Sequence, residues 1–282
     1  MGLFNTNYAT PGKGITKEEA AKRSYFDILG RKFWKMMELN LLYLACNLIF
    51  FGAALLFALP YLYGENAIRY INAVINSKAL LPILPFVPFM LTGPFTAGLT
   101  YVIRNYSRQE HAFLCSDFFE HAKKNWKQGL LMSTLQCVMV YMFITAFFWY
   151  RNFFIANGIN IGILFGLTIF LGAILFSASF YLYPLMVTFE MRFTEIIKNS
   201  FILAIAKLPQ NTLILIVIGA VHILLLYNYP LLWLLLMALI LIVWSSYTMN
   251  YYVWNVMDKH LMPKAEEKEE KDETLFEDAT KK

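Results

Sequence analysis

The chain has 282 residues, of which 59% are hydrophobic and 15% charged, whereas ordinary soluble domains have about a quarter of their residues charged. That balance excludes a single soluble globular domain and fits a polytopic membrane protein. The formal charge of +5 does not point to nucleic acid, because the lysines and arginines fall between apolar runs and not on one face of a soluble module.

Residues 1–35 read as a cytoplasmic N-terminal segment. Thr16-Lys17-Glu18-Glu19 has the form of a capping box, and Phe26, Leu29, Phe33 and Met36 recur at helical spacing opposite Arg31, Lys32 and Lys35. This pattern predicts an amphipathic helix lying on the membrane surface. The apolar run that follows exceeds the roughly 20 residues needed to span and lacks a small-residue cleavage site, so it reads as an uncleaved first span and not a signal peptide.

Residues 36–257 hold charge-free runs over 39–64, 79–103, 128–150, 152–189 and 208–257. The last is interrupted by Tyr227-Asn228-Tyr229-Pro230, a turn cluster that divides it into a hairpin. Six spans are expected, near 39–61, 79–103, 129–150, 159–189, 208–226 and 230–254. All of the 24 lysines and arginines except Arg69, Lys78 and Arg151 then fall on one side of the membrane. By the positive-inside rule both termini are cytoplasmic. Residues 258–282 mix acidic and basic side chains too densely to bury a core and are expected to be a disordered tail.

The second span carries Pro82, Pro85, Pro88 and Pro94. Each removes a backbone donor, so the span is expected to be broken or kinked and either buried in protein or facing a wet cavity. Gly93 with Ala97, and Gly158, Gly162 and Gly166, repeat at four-residue spacing and are expected to let helices pack closely. Between spans two and three, Cys115, Phe119, Ala122 and Trp126 form an apolar stripe among Lys123, Lys124 and Lys127. Phe119 and Trp126 are its candidate partner-docking residues.

No catalytic, cofactor-binding or metal-binding set is expected. No Asp, Glu, Lys or Arg lies within a span, which leaves proton relays without an obvious residue. Asn47, Gln136, Ser177, Ser179, Ser245, Ser246 and His222 are the polar groups that remain, and interhelical hydrogen bonding is their ordinary use. His111 with Cys115 and Asp117 with His121 have i, i+4 spacing, but the two pairs face differently, which argues against a metal site. Cys46, Cys115 and Cys137 are too scattered for a disulfide framework.

Asp27-Ile28-Leu29 leading to Leu39-Asn40-Leu41-Leu42, Pro88 with Thr92-Gly93-Pro94, and Asp117-Phe118-Phe119 before Lys124-Asn125-Trp126 resemble the YesL family of bacterial multi-pass membrane proteins, a domain of unknown function. The resemblance extends over roughly residues 26–255. It implies a bacterial plasma-membrane protein associated with sugar import, and it carries over no catalytic residue. The expectation is therefore an all-α, six-span, non-enzymatic protein of the lipid bilayer. Its expected role is accessory to carbohydrate (ABC-type) transport, with a sugar-transporter permease as partner. The alternative is a transporter or facilitator of a neutral solute in its own right.

Overall fold

The computed structural model describes residues 24–62, 81–157 and 162–261. Every described element is helical. Helix α1 covers Tyr25–Leu62, a 3-10 turn Leu81–Phe86 leads into α2 at Val87–Met90, and α3 follows at Gly93–Ser107. Then come α4 at Leu114–Lys124, α5 at Trp126–Asn157, α6 at Gly162–Thr188, α7 at Phe193–Ala206 and α8 at Leu208–Asn228. The described residues end in α9 at Pro230–Leu236, a π-turn at Met237–Leu241 and α10 at Ile242–Leu261.

Five helical stretches are long and apolar enough to cross a membrane, and the bent pair formed by Ile83–Met90 and Gly93–Ser107 supplies a sixth if counted as one span. The expected turn between spans five and six is a single residue, Tyr229, with Pro230 opening α9. Proline suits that first position because the N–H it lacks has no intrahelical partner there. The third span runs on to Asn157, past the expected 150, and the fourth opens at Gly162.

The N-terminal reading needs correction. No separate surface helix precedes span one among the described residues, because Tyr25 to Leu62 is one uninterrupted helix of 38 residues. At 1.5 Å per residue it is about 57 Å long, nearly twice the hydrocarbon thickness. Its buried stripe is Ile28, Met36, Leu39, Asn40, Tyr43 and Asn47, in phase from one end to the other. That continuity removes any reason to break the helix. Of the expected apolar face, Met36 is buried while Phe26 and Phe33 face outward. The capping box at Thr16 to Glu19 lies outside the described residues.

The core sits at the charged end of the molecule. Helix α3 runs down alongside α1, with Phe95 beside Phe50, Thr96 bonded to Tyr43 and Tyr106 beneath Lys32. Helix α10 is antiparallel to α1 as well, placing Val243 at Asn40 and Tyr247 at Tyr25. One buried cluster joins Met36, Leu39, Ile103, Tyr106, Phe118 and Tyr247, and a second joins Ala97, Met132, Tyr181, Leu185, Ile196 and Met257. Away from this end, α6, α8 and α9 present exposed side chains such as Phe170, Ile216, Leu224 and Leu234. In a bilayer such faces are solvated by lipid and need no protein cover.

Helix α3 stops cleanly. Gln109 takes φ 59°, and the Glu110 N–H reaches back to the Asn105 carbonyl at 2.8 Å. This is the left-handed closure usually given to glycine, supplied here by glutamine. It turns the chain into α4, whose first turn is held by the Asp117 carboxylate accepting from the Phe113 N–H at 2.9 Å.

Candidate functional site

The broken second span is the first place where function could reside. Pro85 lies within the 3-10 turn with Pro82 near its start, Pro88 is in the first turn of α2, and Pro94 is in the first turn of α3. The axis bends by 53° between α2 and α3. Pro94 cannot donate to the Met90 carbonyl four residues earlier. That carbonyl accepts instead from the Ser133 hydroxyl on α5. Thr92 donates its hydroxyl to the Phe89 carbonyl at 2.8 Å, and Thr96 donates to the Thr92 carbonyl at 3.0 Å. The Met90 carbonyl released by Pro94 is thus answered within the protein.

The space beside the break is filled by backbone. A Cβ on Gly93 would run into the Gly129 carbonyl, and a Cβ on Gly129 would stand 2.9 Å from the Gly93 oxygen. Tyr183 donates its hydroxyl to that same Gly129 carbonyl at 3.3 Å. Ala97 is fully buried one turn along α3. Gly129 and Ser133 have the small-xxx-small spacing already noticed at Gly93 and Ala97, and applying it to the start of span three would have found both. Gly98 makes a second close approach, to the Phe118 carbonyl on α4.

The other glycine stripe needs correction. Gly166 has nothing within 4 Å of an added Cβ, and Gly162 is exposed at the start of α6. Gly172 of α6, by contrast, does meet a neighbour, the Phe143 ring of α5. Helix α6 is apolar all round, so four-residue spacing alone does not say which stripe faces protein and which faces lipid. Gly158 lies outside the described residues.

The apolar stripe between spans two and three is also divided. Asn125, at φ −103°, ends α4, so Phe119 and Trp126 belong to different helices. The face of α4 that packs inward is Phe118 and Ala122, because Gly98 leaves room for them. Cys115, Phe119 and Trp126 remain outside, the last two 47% and 50% exposed.

Trp126 borders a cleft of about 770 Å³ between the α4–α5 corner and the α6–α7 loop. Lys124, Lys127 and Arg192 contribute cations to its lining and Glu190 one carboxylate, over a floor that includes Met186 and Phe189. One wall is fixed by Arg104, which donates to the Val187 carbonyl at 2.7 Å and to the Asn105 side-chain oxygen at 2.9 Å. The guanidinium and the His121 ring both pack on Tyr101, with centroid separations of 4.4 and 3.3 Å. Gln128 ties the opposite sides together through the Met191 carbonyl. Burial holds the His121 imidazole below its ordinary pKa, against the opposing pull of Glu120. Two lining residues, His121 and Thr188, each carry a buried polar atom, Nδ1 and Oγ1, with no hydrogen-bond partner among the described residues.

Two polar nodes inside the spans are structural. Asn40, fully buried on α1, donates to the Met237 and Ala238 carbonyls at 3.0 and 2.7 Å and accepts from the Val243 N–H at 3.1 Å. It thereby closes the π-turn in span six. His222 accepts at Nδ1 from the Trp233 indole at 3.2 Å, which leaves Nε2 to donate to the Ser245 hydroxyl at 3.0 Å. Both ring nitrogens are engaged, so this histidine ties α8 to α9 and α10 across the hairpin. Among the described residues no group of three metal-ligating side chains converges.

Residues 72–150 match the model of a family described as a protein of unknown function, DUF624. This part of the chain is similar to that family. The matched segment includes α2 through α4 and most of α5, and so holds both the broken span and the Gly93–Gly129 contact. No curated protein and no solved structure matches the chain.

Proposed function

We propose that this chain is a non-enzymatic accessory component of a carbohydrate (ABC-type) transport system in the bacterial plasma membrane, with both termini cytoplasmic. The observation that favours this reading over a transporter is the filled break in span two. Transporter sites use broken helices whose freed carbonyls and helix ends face the substrate. Here the Met90 carbonyl is taken by Ser133, Gly93 lies against Gly129, and Thr92 is only 7% exposed. The sugar-uptake context and the bacterial membrane come from the resemblance to the YesL family. The orientation comes from the lysine and arginine asymmetry. The exposed rings of Phe119 and Trp126 at the charged end supply a surface for a permease.

The direct test is crosslinking in native membranes of cells grown on polysaccharide, followed by mild solubilisation. A sugar-transporter permease recovered in near-equal amount is expected. Recovery of the chain alone would remove the accessory reading.

A separate measurement addresses the alternative. In a background with Cys46, Cys115 and Cys137 replaced, Thr92→Cys is expected to resist a polar thiol reagent while Lys123→Cys on α4 reacts fully. Labelling of Thr92→Cys and Thr96→Cys, with protection by a neutral sugar, would instead make span two a conduit.

A further inference from the structure

We propose that the cleft between the α4–α5 corner and the α6–α7 loop is a binding site for a phosphate-bearing anion at the level of the lipid headgroups. Three cations, Lys124, Lys127 and Arg192, meet there against the single carboxylate of Glu190. Basic pockets between helix ends at the membrane surface suit phosphate headgroups, and phosphate offers enough acceptor oxygens to engage several cations at once.

The second observation is independent of charge. His121 and Thr188 belong to the lining of the same cleft, and their Nδ1 and Oγ1 atoms are buried with no partner among the described residues. Buried polar atoms are nearly always hydrogen-bonded, and those that are not mark a missing ligand or water. The Thr188 hydroxyl is a donor suited to a phosphate oxygen, and the His121 ring is held in place by its stack on Tyr101. The third observation is the helix start. Trp126, Lys127 and Gln128 are the first residues of α5 and all border the cleft, and the first N–H groups of a helix favour an anion. At the neighbouring start of α7 that role is already filled by the Glu195 carboxylate, which accepts from the Arg192 N–H at 2.9 Å. Trp126 and the apolar floor place the site where a headgroup would lie.

The test uses delipidated full-length protein in neutral detergent, with native mass spectrometry and thermal stability as readouts. Phosphatidylglycerol, phosphatidylcholine and inorganic phosphate are titrated separately. Phosphatidylglycerol is expected to bind and stabilise well above phosphatidylcholine. Lys124→Gln combined with Lys127→Gln is expected to weaken it roughly 20- to 30-fold. Lys123→Gln, on the same helix but outside the cleft, is expected to leave it unchanged. Thr188→Val weakens binding with no change in charge, which separates a built site from surface attraction. Displacement of the lipid by inorganic phosphate, or binding of inorganic phosphate alone, would assign the site to soluble phosphate compounds. Failure of inorganic phosphate to compete would assign it to lipid. Equal binding of the two lipids, or equal losses from Lys123→Gln and the double variant, would overturn the proposal.

Discussion

Gly93→Ala is expected to destabilise the protein by about 3 kcal/mol or more, because the added methyl group would meet backbone and not a side chain that can swing aside. Its Cβ would collide with the Gly129 carbonyl and crowd the Ser133 hydroxyl at 2.5 Å. Relief requires α3 and α5 to separate. That in turn would uncover the Met90 carbonyl that Ser133 covers and lengthen the Tyr183 bond to Gly129. Buried in protein, these groups have no water to fall back on.

The same substitution at neighbouring glycines gives a graded comparison. At Gly129 the new methyl meets the Gly93 oxygen at 2.9 Å and the Pro94 nitrogen at 3.1 Å, a smaller collision with a smaller loss. At Gly30, on the exposed part of α1, nothing lies within 4 Å, and alanine should raise stability by up to about 1 kcal/mol through helix propensity. Thermal unfolding of the three variants in detergent reads the order directly. Equal melting temperatures for Gly93→Ala and Gly30→Ala would mean that the two helices are not held at backbone contact.

Asn40→Ala is expected to cost a similar amount by a different route. It removes the donor for two carbonyls and the acceptor for one N–H. Each stranded buried group costs about 1–3 kcal/mol. Asn40→Asp keeps the bond from the Val243 N–H but turns a carboxylate oxygen toward the Met237 and Ala238 carbonyls, so it should be no better than alanine. Because a π-turn holds one residue more than an α-helix needs, deleting Ala238 should close the helix and recover part of the loss in the Asn40→Ala background. Wild-type stability of Asn40→Asp, or no recovery on the deletion, would remove Asn40 as the support of that turn. Span six would then hold its π-turn through its own backbone.

Several features were open to sequence reading because they depend on local chemistry. Apolar runs long enough to cross a bilayer mark the spans, since lipid offers backbone groups no partners and leaves helix as the simple solution. The four prolines require a break wherever the span sits, because each deletes a donor regardless of its neighbours. Tyr229-Pro230 ends one helix and starts the next for the same reason. The chain by itself therefore determined the all-helical class, the long apolar helices, the interruption of span two and the turn between spans five and six.

Tertiary structure decided which faces meet. Gly93 and Gly166 carry the same four-residue signal, yet one lies against backbone and the other opens outward. The spans are apolar on every side, so hydrophobicity does not distinguish a lipid-facing stripe from a packed one. Phe118, not Phe119, turns inward on α4 because Gly98 leaves space opposite it. Asn40 reads as an ordinary polar residue near the start of a span until a π-turn from nearly 200 positions later is brought against it. The basic cleft likewise joins Lys124 and Lys127 to Arg192, which are neighbours only because α5 and α6 form an antiparallel pair. Partner choice between helices resides in shape and hydrogen bonding across the pair, and these exist only once the helices have packed.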